Sequence, residues 1–177
     1  SELCHRYGAL IHSDIVQAVG KINFSMRDCG VDAVTLTAHK LHGPVGIGAI
    51  VVRPGLTVQP MFYGGGQQLA IRPGTEPVVL ADALAKALNL AIDSRENGVY
   101  RALWELRQRF ENRVVDELGD VLILSADGER LPHTSNLAFI GIDRQALLIA
   151  LDLCGIACST GSACASGSGR PSHVLQA

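Results

Sequence analysis

Thr35 to Gly48, TLTAHKLHGPVGIG, is a short apolar run that ends in Thr37-Ala38-His39-Lys40 and falls directly into a turn built on Gly43, Pro44, Gly46 and Gly48. The run suits a strand, and the glycines and proline stop it. Lys40 therefore stands at a strand's end between two histidines, in a chain whose lysines are Lys21, Lys40 and Lys86. Glycines let a backbone approach a ligand closely, and loops held on a rigid scaffold are where chemistry usually sits. A lysine held among apolar walls loses proton affinity through desolvation, and its neutral amine can form a Schiff base with an aldehyde. For this segment taken alone, a turn lysine beside a strand is the plainer alternative.

On the N-terminal side, SELCHRYG reads as a helix end closed by Gly8, Ala9 to His12 as a strand, and Asp14 follows at once. Asp14 can cap a turn or short helix over Asp14 to Val19. As a group at the C-terminal end of a strand it also stands where ligands collect in open α/β sheets. Gln17 lies on the same side of such a turn, so the two side chains can meet one flat ligand. Asn23 to Asp32 reads as a linker, Ala33 to Thr37 as a second strand, and Gly48 to Arg53 as a third that returns beside it like a hairpin. Pro54 to Pro60, Gly64 to Gly66 and Ile71 to Glu76 form a long irregular stretch that suits neither a helix nor a central strand. Long loops of this kind are often functional. Gly64-Gly65-Gly66 lacks the trailing Gly-Lys-Ser/Thr of a phosphate-binding loop, which favours a flexible loop there.

From Val78 to Asn97, Leu80, Leu84, Leu88 and Ala91 recur at helical spacing; Gly98 interrupts, and Leu103, Leu106, Phe110 and Val114 continue the pattern to Gly119. Arg107 with Glu111 and Glu105 with Arg109 suit an exposed helix face. Beyond a domain change come strands at Val121 to Ser125 and Asn136 to Gly141, a helix over Asp143 to Cys154 capped by Asp143 and closed by Gly155, and a strand at Ile156 to Ser159. That order suggests a small α+β unit with a helix covering a sheet.

Composition narrows the class. With 47% hydrophobic and 18% charged residues, the 177 residues suit one or two globular domains. A net charge of -2 gives no basic footprint for nucleic acid or an acidic membrane, and no apolar run approaches a membrane span, so a small molecule is the better partner. The five cysteines, odd in number, fit a reducing, cytoplasmic setting better than a disulfide framework. From Cys158 to Gly169 the residues are almost all small, so the stretch is expected to be a mobile loop, and a thiol exposed in it, as Cys164 would be, is reactive if its pKa is low. A flexible linker with an incidental cysteine is one alternative. A zinc site is another, with Cys154, Cys158, Cys164 and His173 as ligands, but it lacks a CxxC pair and Cys154 is expected to be buried on its helix. Pro171 begins a last helix. The first strand has no earlier unit to pair with and the last helix has no terminator, so the chain is expected to be a piece of a longer protein.

HSDIVQAVGK (His12 to Lys21), TLTAHKLHGPVGIG, RPGTEP (Arg72 to Pro77), STGSACASGS (Ser159 to Ser168) and PSHVLQA together resemble, in order and spacing, the NifS-like, first-group cysteine desulfurases of the fold-type I pyridoxal phosphate class. The resemblance runs over nearly the whole chain. It implies an α/β fold in which 1–95 is the second half of the large cofactor-binding domain and 96–177 most of the small α+β domain. It also implies that Lys40 holds the cofactor and moves protons at the substrate's α-carbon, and that Asp14 pairs with the pyridine nitrogen. Gln17 would bond the phenolic oxygen, Thr37 and His39 the phosphate, and Thr75 the phosphate of a neighbouring subunit, which implies a homodimer. The cofactor-binding set is then Lys40, Asp14, Gln17, Thr37, His39 and Thr75, and the catalytic set Cys164, Lys40 and His39, with no metal. Cys164 would take sulfur from L-cysteine as a persulfide, leaving alanine, and pass it to an iron–sulfur scaffold or another acceptor protein. Thr-Ala-His-Lys stands where the family usually has Ser-Gly-His-Lys, and Ser-Thr-Gly-Ser-Ala-Cys where Ser-Ser-Gly-Ser-Ala-Cys is commoner; both keep their character. The family's ring-stacking histidine and substrate-carboxylate arginine have no counterpart by motif position. The alternatives are a related lyase or epimerase on the same cofactor, and a catalytically silent scaffold.

Overall fold

The computed structural model describes residues 1–161. Cys164, the small-residue stretch from Ser162 onward, the helix expected from Pro171 and His173 lie outside the described residues. In chain order the elements are α1 (Glu2–Arg6), β1 (His12–Asp14), α2 (Met26–Cys29), β2 (Ala33–Thr37), a 3₁₀ turn at Ala38–Leu41, β3 (Gly48–Val52), a second 3₁₀ turn at Gln67–Ala70, α3 (Val78–Glu96), α4 (Val99–Leu118), β4 (Val121–Ile123), β5 (Leu137–Phe139) and α5 (Arg144–Leu153). Two compact units result: 1–110 with 127–134, and 111–126 with 135–177, so that they part within α4.

In the first unit, β1 runs parallel to β2 with His12 opposite Ala33 and Asp14 opposite Thr35. β3 returns antiparallel, with Thr37 opposite Gly48, as the hairpin-like reading expects. Asp32, just ahead of β2, is 1% exposed. Its carboxylate accepts hydrogen bonds from the Ile11 amide (2.8 Å), from His5 Nε2 (2.9 Å) and from Arg53 Nε. One acid thus ties α1, the entry of β1 and the exit of β3 to the start of β2. A buried charge is tolerated when its oxygens are satisfied in this way.

The site-bearing side of the same unit is packed with the smallest side chains available. Leu41, Ala87 and Ala91 form a buried cluster against which Val19 and Leu88 pack. Gly20 has φ +72°, and a Cβ there would lie 2.6 Å from the Ala91 Cβ. At Gly43 a Cβ would lie 3.0 Å from the Cβ atoms of both Ala38 and Ala87. The alanines of α3 and the glycines of the two turns therefore fit because neither side carries more than a methyl group.

In the second unit β4 and β5 pair antiparallel, with Leu122 opposite Ala138. Asp143 caps α5 through the Ala146 amide (2.8 Å). The helix ends in a wrap in which Gly155 N bonds Asp152 O and Ile156 N bonds Leu151 O, both at 2.9 Å.

Several expectations are corrected. The first strand spans His12–Asp14 rather than Ala9 to His12, because the Ala9 amide turns back to Cys4 O to close α1 and pairing starts beyond Ile11. The linker Asn23 to Asp32 contains α2, capped by Ser25 Oγ and closed by Gly30 at φ +65°. β4 stops at Ile123, ahead of Ser125 at φ +58°, and β5 at Phe139, ahead of Gly141 at φ +76°. Ile156 to Ser159 forms no strand, since the Ile156 amide is spent on the end of α5. Cys154, expected to be buried, is exposed. Arg107 and Glu111 do not lie on an exposed face: they are 8% and 1% exposed. Arg107 Nη1 donates to the carbonyls of Leu131 and Thr134, and Glu111 Oε1 accepts from Ser135 Oγ at 2.7 Å. Glu105 pairs with Arg101 rather than Arg109.

The Ile11 amide, with His5 and Arg53, holds the Asp32 carboxyl well below the usual aspartate range, against a desolvation that pushes the other way. A carboxyl whose pKa is depressed on folding stabilises the fold above its unfolded value and loses that stabilisation as pH falls through the window between the two. Thermal unfolding of the full-length protein is therefore expected to move to lower temperature below about pH 4. Asp32→Asn should lower the midpoint at pH 7 and flatten that acid limb; an unchanged limb would refute the assignment.

Candidate active site

Because β1 and β2 run in the same direction, their C-terminal ends open on one edge of the sheet. Asp14 ends β1 and Thr37 ends β2, while His39 and Lys40 sit in the 3₁₀ turn that continues β2. Gln17 lies in the turn that continues β1, whose ladder is extended by the Ile15 amide bonding Thr35 O at 3.0 Å. Five of the residues expected to face the cofactor thus come to one edge. Such edges are where open α/β sheets hold ligands.

Each is held by a local device. Asp14 Oδ1 accepts from the Val16 amide at 3.0 Å, which turns the chain and leaves the second carboxylate oxygen for another partner. Thr37 Oγ1 donates to Ile47 O (3.0 Å) and also meets His39 Nδ1 (3.0 Å). A hydroxyl has one proton, so with that proton on Ile47 O the histidine must donate through Nδ1. His39 Nε2 is then the nitrogen left for a ligand. Ile47 O receives the Ala38 amide as well (3.2 Å), and the Gly43 amide bonds Ala38 O (3.0 Å), so the loop from Ala38 to Ile47 is closed on itself. His42, at φ 60°, turns the chain out of the 3₁₀ turn.

One expectation changes here. Lys40 is exposed, not enclosed by apolar walls, because in this chain the packing against α3 covers Ala38 and Leu41 and leaves the intervening His39 and Lys40 outside. Thr75 is exposed too, beside Gly74, whose amide is held by Gln67 Oε1 at 3.3 Å; among the described residues no hydrogen bond joins Thr75 to the strand edge.

The residue that sequence reasoning missed is Lys21. It is 9% exposed, and its Nζ donates to Gln17 Oε1 at 2.7 Å. Burial and the charge of Lys40 push its proton affinity down. His133, stacked edge-to-face on Tyr100 at 6.3 Å, is likewise pushed down by burial, then by Lys21 and Arg107. The signal was present: Gln17 and Lys21 stand four residues apart, a spacing that brings side chains together on a helical turn.

The donor set has a definite complement. A carboxylate, an amide, a hydroxyl, an imidazole and a primary amine on one edge suit a flat ligand with a protonated ring nitrogen, an electron-rich ring oxygen, a phosphate and a carbonyl. Pyridoxal phosphate carries all four, so the residues present fit it.

The family model described as aminotransferase class-V matches residues 1–177. A protein of Cereibacter sphaeroides named cysteine desulfurase is 42% identical over 177 residues, which are 100% of this chain and 45% of that protein. One of Gluconacetobacter diazotrophicus with the same name is 44% identical over 178 aligned residues, covering 99% of this chain and 44% of that protein. The solved structure of a NifS-like protein from Rickettsia africae superposes with a TM-score of 0.83 at 32% identity, over 91% of this chain and 44% of that one. The chain thus spans less than half the length of the relatives it matches.

The glycine packing that positions the edge can be tested directly. Gly20→Ala in the full-length protein should destabilise by about 2 kcal/mol or more, from the left-handed backbone together with the overlap on Ala91. The measurement is the urea midpoint, and a change within experimental error would show that the turn relaxes freely.

Proposed function

The chain belongs to the class-V aminotransferase family, and from that premise we propose that the full-length protein is a cysteine desulfurase that converts L-cysteine to alanine and carries the sulfur as a persulfide on Cys164. Proteins of this family use pyridoxal phosphate. The observation that carries the reading is the gathering of Asp14, Gln17, Thr37, His39 and Lys40 on one strand edge.

When bound, the cofactor supplies a ring that accepts negative charge from the substrate's α-carbon. The Asp14 carboxylate would keep the ring nitrogen protonated, which strengthens that acceptance. Thr37, by turning its hydroxyl proton away from Ile47 O, and His39, through Nε2, would hold the phosphate, and Gln17 would bond the ring oxygen. Lys40 Nζ would anchor the carbonyl and move the proton at the α-carbon. The Cys164 thiolate attacks the sulfur of the bound cysteine: an S–S bond forms and the Cβ–S bond breaks. The electron pair stays with the carbon fragment, which takes up a proton and leaves as alanine. A stretch of small residues around Cys164 suits delivery of the persulfide to an acceptor outside the pocket, an iron–sulfur scaffold protein or another acceptor in the cytoplasm.

A homodimer completes the reading. Met61, Phe62, Tyr63 and Leu69, flanking the glycine-rich segment before Thr75, are all exposed, which supports their being covered in the full-length assembly while Thr75 reaches a neighbour's phosphate.

The purified full-length protein should show a cofactor absorbance band that shifts on adding L-cysteine, and mass spectrometry should find one added sulfur on Cys164. Cys164→Ser should keep the band and lose alanine formation by roughly a thousandfold or more. Turnover that survives Cys164→Ser would mean a related lyase or epimerase. A protein that takes up no pyridoxal phosphate would be a scaffold of the same fold.

A further inference from the structure

Lys21, with 9% of its surface exposed, loses part of its hydration, and its hydrogen bonds then carry more weight. Its bond to Gln17 Oε1, at 2.7 Å, has a consequence for the other end of that amide. A lysine ammonium has three protons to give and no lone pair, so the atom of Gln17 facing it must be the carbonyl oxygen. The two N–H donors of Gln17 are then the unengaged end of a side chain that is exposed on the edge shared with Asp14 and Lys40. Without Lys21 the amide can turn over at little cost and present its oxygen instead.

We propose that Lys21 is a positioning residue: by holding the oxygen of Gln17 it fixes that side chain as a hydrogen-bond donor toward the electron-rich ring oxygen of the ligand on the strand edge. The inference rests on the reading of that edge as a pyridoxal phosphate site and assigns to Lys21 a role that acts through Gln17. The neighbourhood is consistent with it. The charged and titratable groups acting on Lys21 and its surroundings are Lys40, from the 3₁₀ turn after β2, and His133, from the 127–134 segment. The acceptor that Lys21 uses among these groups is the neutral amide of Gln17. Gly20, just ahead of Lys21, lets the turn approach α3 closely, since a Cβ there would lie 2.6 Å from the Ala91 Cβ.

The test is a titration of the cofactor-free full-length protein with pyridoxal phosphate, followed by absorbance, for wild type, Lys21→Met, Lys21→Arg, Gln17→Ala and the double variant Gln17→Ala/Lys21→Met. Lys21→Met should weaken binding about five- to tenfold and move the absorption maximum of the bound cofactor. Lys21→Arg, which also offers donors alone, should restore both. In the Gln17→Ala background the Lys21→Met change should add nothing. Equal losses in both backgrounds, or unchanged binding in Lys21→Met, would overturn the proposal, as would a fall in thermal stability with affinity and spectrum intact. Should Lys21→Met fail to fold, Gln17→Glu carries the test: it keeps a partner for Lys21 while replacing the donor end with an acceptor. Binding should then weaken about tenfold or more, and unchanged binding would overturn the idea. Wild-type protein that takes up no pyridoxal phosphate would instead overturn the parent reading.

Discussion

The hydrogen bonds of the Asp32 carboxylate are the constraint on which the rest of the first unit depends. A three-residue parallel strand such as β1 makes few ladder bonds, and parallel pairing of so short a segment is weakly specified by itself. Asp32 precedes β2 by one position, so binding the Ile11 amide fixes where β1 begins relative to β2, and binding Arg53 fixes where β3 leaves. A slip of one residue would turn each side chain of β1 to the other face and carry Asp14 away from its place at the strand end. The carboxylate that sets the register lies at the opposite end of the strands from the edge it organises.

The edge itself divides its labour between rigid and permissive parts. Ala38 and Leu41 are buried against α3, and between them His39 and Lys40 are displayed. The alternation of two anchored residues with two exposed ones follows from the tight pitch of a 3₁₀ turn, in which positions three apart share a face. Ile47 O, by accepting from both the Ala38 amide and the Thr37 hydroxyl, closes the glycine-rich loop beneath them. The functional side chains can therefore project from a loop whose backbone is held as firmly as a strand.

Strands β2 and β3, the two long helices and the capped α5 were legible because each carries its signal locally: alternation or periodicity inside, a glycine at positive φ or an aspartate cap at the end. The five edge residues were legible for the same reason, since they cluster in two short segments around strand ends. What escaped was tertiary. Arg107 and Glu111 are spaced like a solvated helix pair, and nothing in their own segment tells that the carbonyls of Leu131 and Thr134 and the hydroxyl of Ser135 will close over them. Lys21 looked like an ordinary residue after a turn, and Asp32 like the end of a linker, because burial is decided by partners distant in the chain. The strand expected at Ile156 failed for a more local reason: the wrap at the end of α5 claims the amide that a sheet would need.

Contacts in which both sides are already as small as side chains come have a bearing on how such a protein can change over generations. Ala87 and Ala91 on one helix meet Gly43 and Gly20 on two separate turns. A lineage cannot enlarge any one of these positions and then adjust its neighbour, because the intermediate would have to survive an overlap with no void to absorb it. The four positions therefore constrain one another, and the turn around Lys40 has more freedom to vary in its exposed residues than in its footing.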